Sequence, residues 1–380
     1  MNYKKATGAF LFIFVISLGL YAFGTHKPAV VASSDDNDND TDESVVDTQL
    51  YAAAAALAVA EPKPTYRVSD SIPQFVVLSF DGSKSVSMLD ETLQFEKKMQ
   101  TEGKSIHFTY FINAAYFLTK EEAGVYQAPR QAPGVSNIGF SRTVQEIPGR
   151  VSAFNVAFST GNEIGSHTVG HFNGVTWSEA EWKHEFDSFA TLMANIGVNN
   201  PSVHIEAPLF LTAVEGFRAP NLGANESLYM ALGAMHFTYD TSEVGRDGVW
   251  PHKDLNGIWH IPLGVVYLGP SKKPIVAMDY SIWQHQQLER GTVVKGDAAW
   301  NQDYTEVEDA YMNYFDTTYN KSRAPIVIGG HFTKWNDGVY FEAMKAFAEN
   351  VCGKPNVRCV TYKELVAYLN TTGAPPIAAK

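Results

Sequence analysis

"GNEIGSHTVGHFNG", residues 161–174, sets His167 and His171 four positions apart between glycines, in a chain with 11 histidines. In a helical turn, positions i and i+4 lie on one face, so both imidazoles would converge on one point. Convergent imidazoles are a common way to hold a divalent transition metal. The competing reading is a pair of neighbours in a polar loop. Spacing alone leaves both open, so the surrounding pattern has to decide.

From about Ser71 onward, short apolar β-rich runs alternate with helical patterns. "QFVVLSF" (74–80) is apolar without alternation, as expected of a strand buried on both faces. Similar runs follow at "IHFTYFI" (106–112), "SVHIEA" (202–207), "HFTYD" (236–240), "GIWHIPL" (257–263), "PIVAMDY" (274–280) and "APIVIGG" (324–330). Helical patterns span 87–103, closed by Gly103, then 177–197 and 338–351. This alternation predicts an α/β fold, a parallel sheet or barrel with helices outside. Residues 113–160, rich in Gly, Pro and Ser, read as a long loop insertion of the kind that shapes an active face. In such folds chemistry collects at the C-terminal ends of the strands. Asp81, His167, His171, Arg218, Asp240 and His331 each occupy a strand-to-loop corner.

In their order, these corners resemble the five motifs of the polysaccharide deacetylases with a NodB-homology domain, carbohydrate esterase family four. "SFDG" looks like the first motif, "SHTVGH" is similar to the second, and "FRAP" resembles the third. "DTSE" looks like a variant of the fourth, and "VIGGH" is similar to the fifth. The resemblance runs from Gln74 to Leu369 and implies an irregular (β/α) barrel. It implies that His167 and His171 bind a divalent metal, usually zinc. It further implies that Arg218 positions the base carboxylate, that Asp240 supports the catalytic histidine, and that His331 protonates the leaving amine. The first motif departs from the family, which has two adjacent aspartates; here Asp81 is followed by Gly82. Asp81 is therefore either the base, with the metal short of its carboxylate, or the metal ligand, with the base missing. Trp335, four residues beyond His331, is placed near a sugar ring or in the core. His107, His184, His204, His236, His252, His260 and His285 are scattered and read as ordinary strand, helix or loop positions.

The N-terminus points to export. Lys4 and Lys5 precede the apolar "GAFLFIFVISLGLYAFG" (8–24), the pattern of a secretory signal or an uncleaved signal anchor over 1–32. In the segment 33–70 the acidic "DDNDNDTDES" (35–44) reads as a solvated, disordered linker, and the alanine-rich run after it favours a helix, a tether or brace ended by Pro62 and Pro64. The catalytic domain is placed at 71–372. A formal net charge of −12 argues against nucleic acid held through its phosphates. Any membrane contact would pass through the anchor. Cys352 and Cys359 in "VCGKPNVRC" read as one small disulfide-closed loop in an exported chain, against a two-cysteine metal half-site. The expected function is metal-dependent N-deacetylation of a periplasmic or secreted polysaccharide, peptidoglycan or a chitin-like glycan. The alternatives are a non-catalytic glycan-binding module on a degenerate deacetylase scaffold, and an exported metallo-esterase or amidase with another acyl substrate.

Overall fold

The computed structural model describes residues 72–246 and 248–375. The signal-like stretch and the acidic and alanine-rich segments lie outside the described residues. Among the described residues no helix is long and apolar enough to cross a membrane.

All eight residues of β1 (Gln74–Asp81) are buried, as a strand flanked by strands and covered on both faces requires. It pairs in parallel with β2 (Phe108–Ile112), β10 (Ile326–His331) and β11 (Val357–Cys359). The sheet continues through β3 (Glu163–Ser166), β4 (Gly216–Phe217), β5 (Tyr239–Asp240), β7 (Trp259–His260) and β6 (His252–Lys253), in the order β10-β1-β2-β3-β4-β5-β7-β6. Only β6 runs antiparallel, against β7. Between β7 and β10 no continuous ladder is formed among the described residues. A separate hairpin, β8 (Val265–Leu268) with β9 (Lys273–Val276), fills the gap through single contacts such as Gly264 N–H to Val327 O, 3.1 Å. This is a curled, irregular (β/α) barrel of α/β class.

Several elements differ from the sequence reading. Residues 202–207 form no strand. They run largely exposed between Pro201 and Pro208, with Ile205 packed against the core, and the sheet position is taken by the two-residue β4. "PIVAMDY" is a strand only to Val276 and belongs to the hairpin. The insertion 113–160 ends in a helix, Glu146–Ser159, which buries Ile147, Val151, Phe154 and Ala157. Pro148 sits in its first turn, where a missing N–H costs no helical hydrogen bond. The cysteines form a disulfide, Cys352–Cys359, with Cα atoms 5.8 Å apart, tying the end of the last long helix to β11.

Glu163 opens β3 in a buried position. Its carboxylate accepts from Thr109 Oγ1 (2.9 Å), Tyr239 OH (2.8 Å) and Lys363 N–H (2.9 Å). Burial raises its pKa from 4.5 to about 7, against those three hydrogen bonds. A raised folded-state value means this group's stabilising contribution is complete below the unfolded value near 4.5 and is lost as pH rises through about 7. Glu163→Gln keeps an oxygen for Thr109 and Lys363 and turns its amide toward the Tyr239 oxygen. The variant should therefore be more stable than wild type at pH 8, by up to roughly 3 kcal/mol, and gain nothing near pH 4.5. Urea unfolding at the two pH values checks this, and an equal gap at both would refute it.

Candidate active site

Strand register gathers the predicted corners. Asp81 lies opposite His331 at the C-terminal ends of β1 and β10. Ser166, the last residue of β3, lies opposite Phe217, the last of β4, so His167 and Arg218 leave the sheet side by side. The loop carrying the two histidines is not helical. Thr168 and His171 adopt left-handed backbone, φ 64° and 58°, which folds the loop back on itself. The rings meet with centroids 4.9 Å apart at 66°. The convergence expected from a helical turn is thus achieved by two strained residues, each at a cost of about 1 kcal/mol or more.

Asp81, His167, His171 and His331 line one cavity of about 40 Å³, together with Asn113 and Trp335. That volume admits an ion or a water molecule or two. His167 donates from Nδ1 to the Arg218 carbonyl at 2.8 Å, which leaves Nε2 with its lone pair. Burial holds both imidazoles neutral. His167 is lowered to about 3, with the charges of Arg218 and His331 adding to the effect, and His171 falls well below its ordinary value. The Asn113 amide donates from Nδ2 to the His167 carbonyl. A carbonyl only accepts, so the amide orientation is fixed, and Asn113 Oδ1 is left buried without a hydrogen-bond partner. Such an orphaned acceptor costs about 1–3 kcal/mol unless something satisfies it. Two neutral imidazoles in a cavity that an amide with an unsatisfied oxygen also lines suit a divalent cation.

Asp81 belongs to a different network. Its Oδ1 accepts from Arg218 Nη1 at 2.7 Å. Arg218 is fully buried; its Nη2 donates to Ser79 Oγ (3.0 Å) and Tyr362 OH (2.7 Å), and its guanidinium lies 4.6 Å from the centre of the Phe111 ring. Gly82 follows with φ 89°, and nothing lies within 4 Å of the place a Cβ would occupy. No carboxylate stands beside Asp81 at that position.

His331 donates its backbone N–H to Asp279 Oδ2 (2.7 Å), and its Nδ1 lies 2.6 Å from Asp279 Oδ1. The expected partner was Asp240, and this is corrected. Asp240 instead accepts from Ser242 Oγ (2.6 Å) and Ser242 N–H (3.0 Å), in register with His260 on β7. The reason is topological: β5 stands five places from β10 in the sheet, whereas Met278, next to Asp279, bridges directly to Gly329 of β10. Burial raises Asp240 to about 6, opposed by Ser242 and His260. Asp279 was hidden inside an apparent strand, although it ends an apolar run as Asp240 does.

Arg150 also escaped the sequence reading. It is buried and donates to the carbonyls of Ser83 (2.6 Å), Lys84 (2.9 Å) and Tyr116 (2.6 Å), bracing two loops that wall the cavity. The signal was present, since Arg150 falls three residues after Ile147 on the apolar face of its helix. Trp335 lines the cavity beside His331, ring centroids 5.3 Å apart, and stacks on Trp283 at 5.2 Å.

No protein-family profile matches the chain, and no curated protein matches it in sequence. Solved structures do match. A Mycobacterium smegmatis protein assigned as a polysaccharide deacetylase superposes with a TM-score of 0.51 at 15% identity, covering 84% of this chain and 99% of that one. The fold is that of the polysaccharide deacetylases. A variant of the peptidoglycan deacetylase PdaC from Bacillus subtilis matches at 14% identity, with 80% and 96% of the two chains covered and a TM-score of 0.38. A pseudoenzyme of carbohydrate esterase family four from Bacillus anthracis matches at 12% identity, with 80% and 69% covered and a TM-score of 0.38. On the polysaccharide deacetylase fold, the cavity lies at the C-terminal ends of β1, β3 and β10, where α/β barrels place their chemistry.

Proposed function

We propose that the chain is a metal-dependent hydrolase that removes N-acetyl groups from amino sugars of an extracytoplasmic polysaccharide, peptidoglycan or a chitin-like glycan. One observation carries this reading: a guanidinium-paired carboxylate, a carboxylate-backed imidazole and two neutral imidazoles line a single cavity. Asp81 takes the proton of the attacking water, held in place by Arg218. His331 delivers a proton to the departing nitrogen from Nε2, because Asp279 occupies Nδ1 and fixes the ring. His167 and His171 would hold the cation, and Asn113, whose Oδ1 is unsatisfied in the same cavity, would offer an oxygen where position 82 carries no carboxylate. When bound, a divalent cation such as zinc acidifies water and polarises the acetyl carbonyl. Trp335 offers an aromatic face to a sugar ring at the cavity wall. The disulfide and the secretory pattern of residues 1–32 support a periplasmic or secreted site of action.

The test is acetate release from peptidoglycan and from N-acetylated chitin oligosaccharides, with the full chain assayed before and after chelation. Chelation should stop release and zinc should restore it, and His167→Ala should lower the rate at least about 100-fold. Release that ignores both chelator and His167→Ala refutes the proposal. The bare glycine at position 82 favours one second reading, a glycan-binding module without turnover. That reading predicts binding that survives chelation and no acetate from any of these glycans.

A further inference from the structure

Far along the sheet from the cavity, β6 and β7 form its open edge. There the antiparallel register sets His252 opposite His260, and the two rings stack at 4.7 Å with planes 10° apart. Glu243, on the loop after β5, brings its Oε1 to 3.1 Å from His260 Nδ1. One ligand atom from each of these three residues lies within 4.8 Å of the others.

His260 is 2% exposed, and its Nδ1 and the Glu243 carboxylate sit at close range inside the fold. Two ligands of one tetrahedral cation do the same, because bonds of about 2.0–2.2 Å set neighbouring donors roughly 3.3–3.5 Å apart. The other ring nitrogen, Nε2, lies 3.4 Å from Asp254 Oδ2. A carboxylate on the far nitrogen is the arrangement that orients a ligating imidazole and strengthens its donor side. Asp254 is itself fixed, since its Oδ1 accepts Ile258 N–H (2.8 Å) and its Oδ2 accepts from Asn256 Nδ2 (3.0 Å). Tyr229 donates to Glu243 Oε1 at 3.3 Å and packs edge-on against His260 at 4.4 Å, which holds the carboxylate and ring in place. His252 is exposed, so its ring can swing the short distance needed to close the shell and leaves an entry path.

We propose that Glu243, His252 and His260 form a divalent-cation site separate from the cavity, suited to a borderline transition metal such as zinc or nickel. Two imidazoles and one carboxylate favour these ions over magnesium or calcium, which select all-oxygen shells. A cation there would pin the edge hairpin to the loop after β5 and close the exposed end of the sheet.

The experiment is isothermal titration of the full chain with zinc chloride, in a His167→Ala/His171→Ala background that removes the cavity imidazoles. One equivalent should still bind. Adding His252→Ala, and separately Glu243→Gln, should each weaken that binding at least tenfold. His252 is exposed, so its replacement leaves the core intact, and circular dichroism verifies the fold of every variant. Bound Cu²⁺ should show two nitrogen couplings by electron paramagnetic resonance, falling to one in His252→Ala. No zinc binding in the double-alanine background, or binding indifferent to both added substitutions, overturns the proposal and leaves an ion pair between Glu243, His260 and Asp254.

Discussion

Replacing Asp81 with asparagine should lower acetate release by about 10³-fold, the scale at which a positioned general base contributes. Asparagine keeps the shape and can still accept from Arg218, but it cannot take a proton from water. Zinc affinity separates the two roles the single aspartate of "SFDG" left open. If Asp81 is the base, zinc binding in Asp81→Asn stays within about threefold of wild type while turnover collapses. If it is a metal ligand, affinity falls along with turnover, by the 10–100-fold typical of disturbing a metal site. The geometry favours the first outcome, because Asp81 Oδ1 is already committed to Arg218. Rates are to be compared at a temperature where circular dichroism shows both proteins folded, since the substitution also strips the guanidinium of its counter-charge. Turnover within tenfold of wild type would remove Asp81 from the mechanism.

The second large effect is on stability. Arg218→Met should destabilise the protein by about 3–5 kcal/mol, the usual result of deleting one partner of a buried ion pair. Asp81 would be left without its partner at 3% exposure, and Ser79 and Tyr362 would lose the Nη2 they face. An ion pair on the surface would be worth no more than about 1 kcal/mol. Urea unfolding distinguishes the two. The Asp81→Asn/Arg218→Met double variant should lose less than the sum of the singles, by about 1–3 kcal/mol, because both substitutions break the same contact. A loss below about 1 kcal/mol for Arg218→Met, or strict additivity, would show that the pair is not the centre of this network.

The parts legible in the sequence were those written in long local patterns. β1 announces itself because every residue from Gln74 to Asp81 is buried, and its last residue is then a corner by construction. The same logic places His331 at the end of β10, whereas His167, just after the four-residue β3, stands out by its spacing to His171. β4 and β6 are two residues each, too short for any periodicity, and β5 and β7, two residues each inside the longer apolar runs 236–240 and 257–263, find their pairing only through distant partners. The resemblance of "DTSE" to a fourth motif points to Asp240 as the support of His331, whereas Asp279, brought over by a hairpin, sits inside an apparent strand. His252 and His260 were set aside as scattered. They are eight positions apart in sequence yet directly opposed across an antiparallel pair, a relation only the register reveals. Asn113 shows a further limit, since its importance lies in an unsatisfied oxygen that exists only once the chain has folded.

The central claim is that one cation is gripped by His167 and His171 in the cavity beside Asp81. A crystal structure of zinc-loaded protein, with anomalous difference maps recorded on both sides of the zinc edge, tests it most directly. The account predicts a peak within about 2.0–2.1 Å of one nitrogen of each imidazole, with Asn113 Oδ1 turned toward it and Asp81 still paired with Arg218. A map with no zinc at those rings in a fully loaded crystal would contradict it.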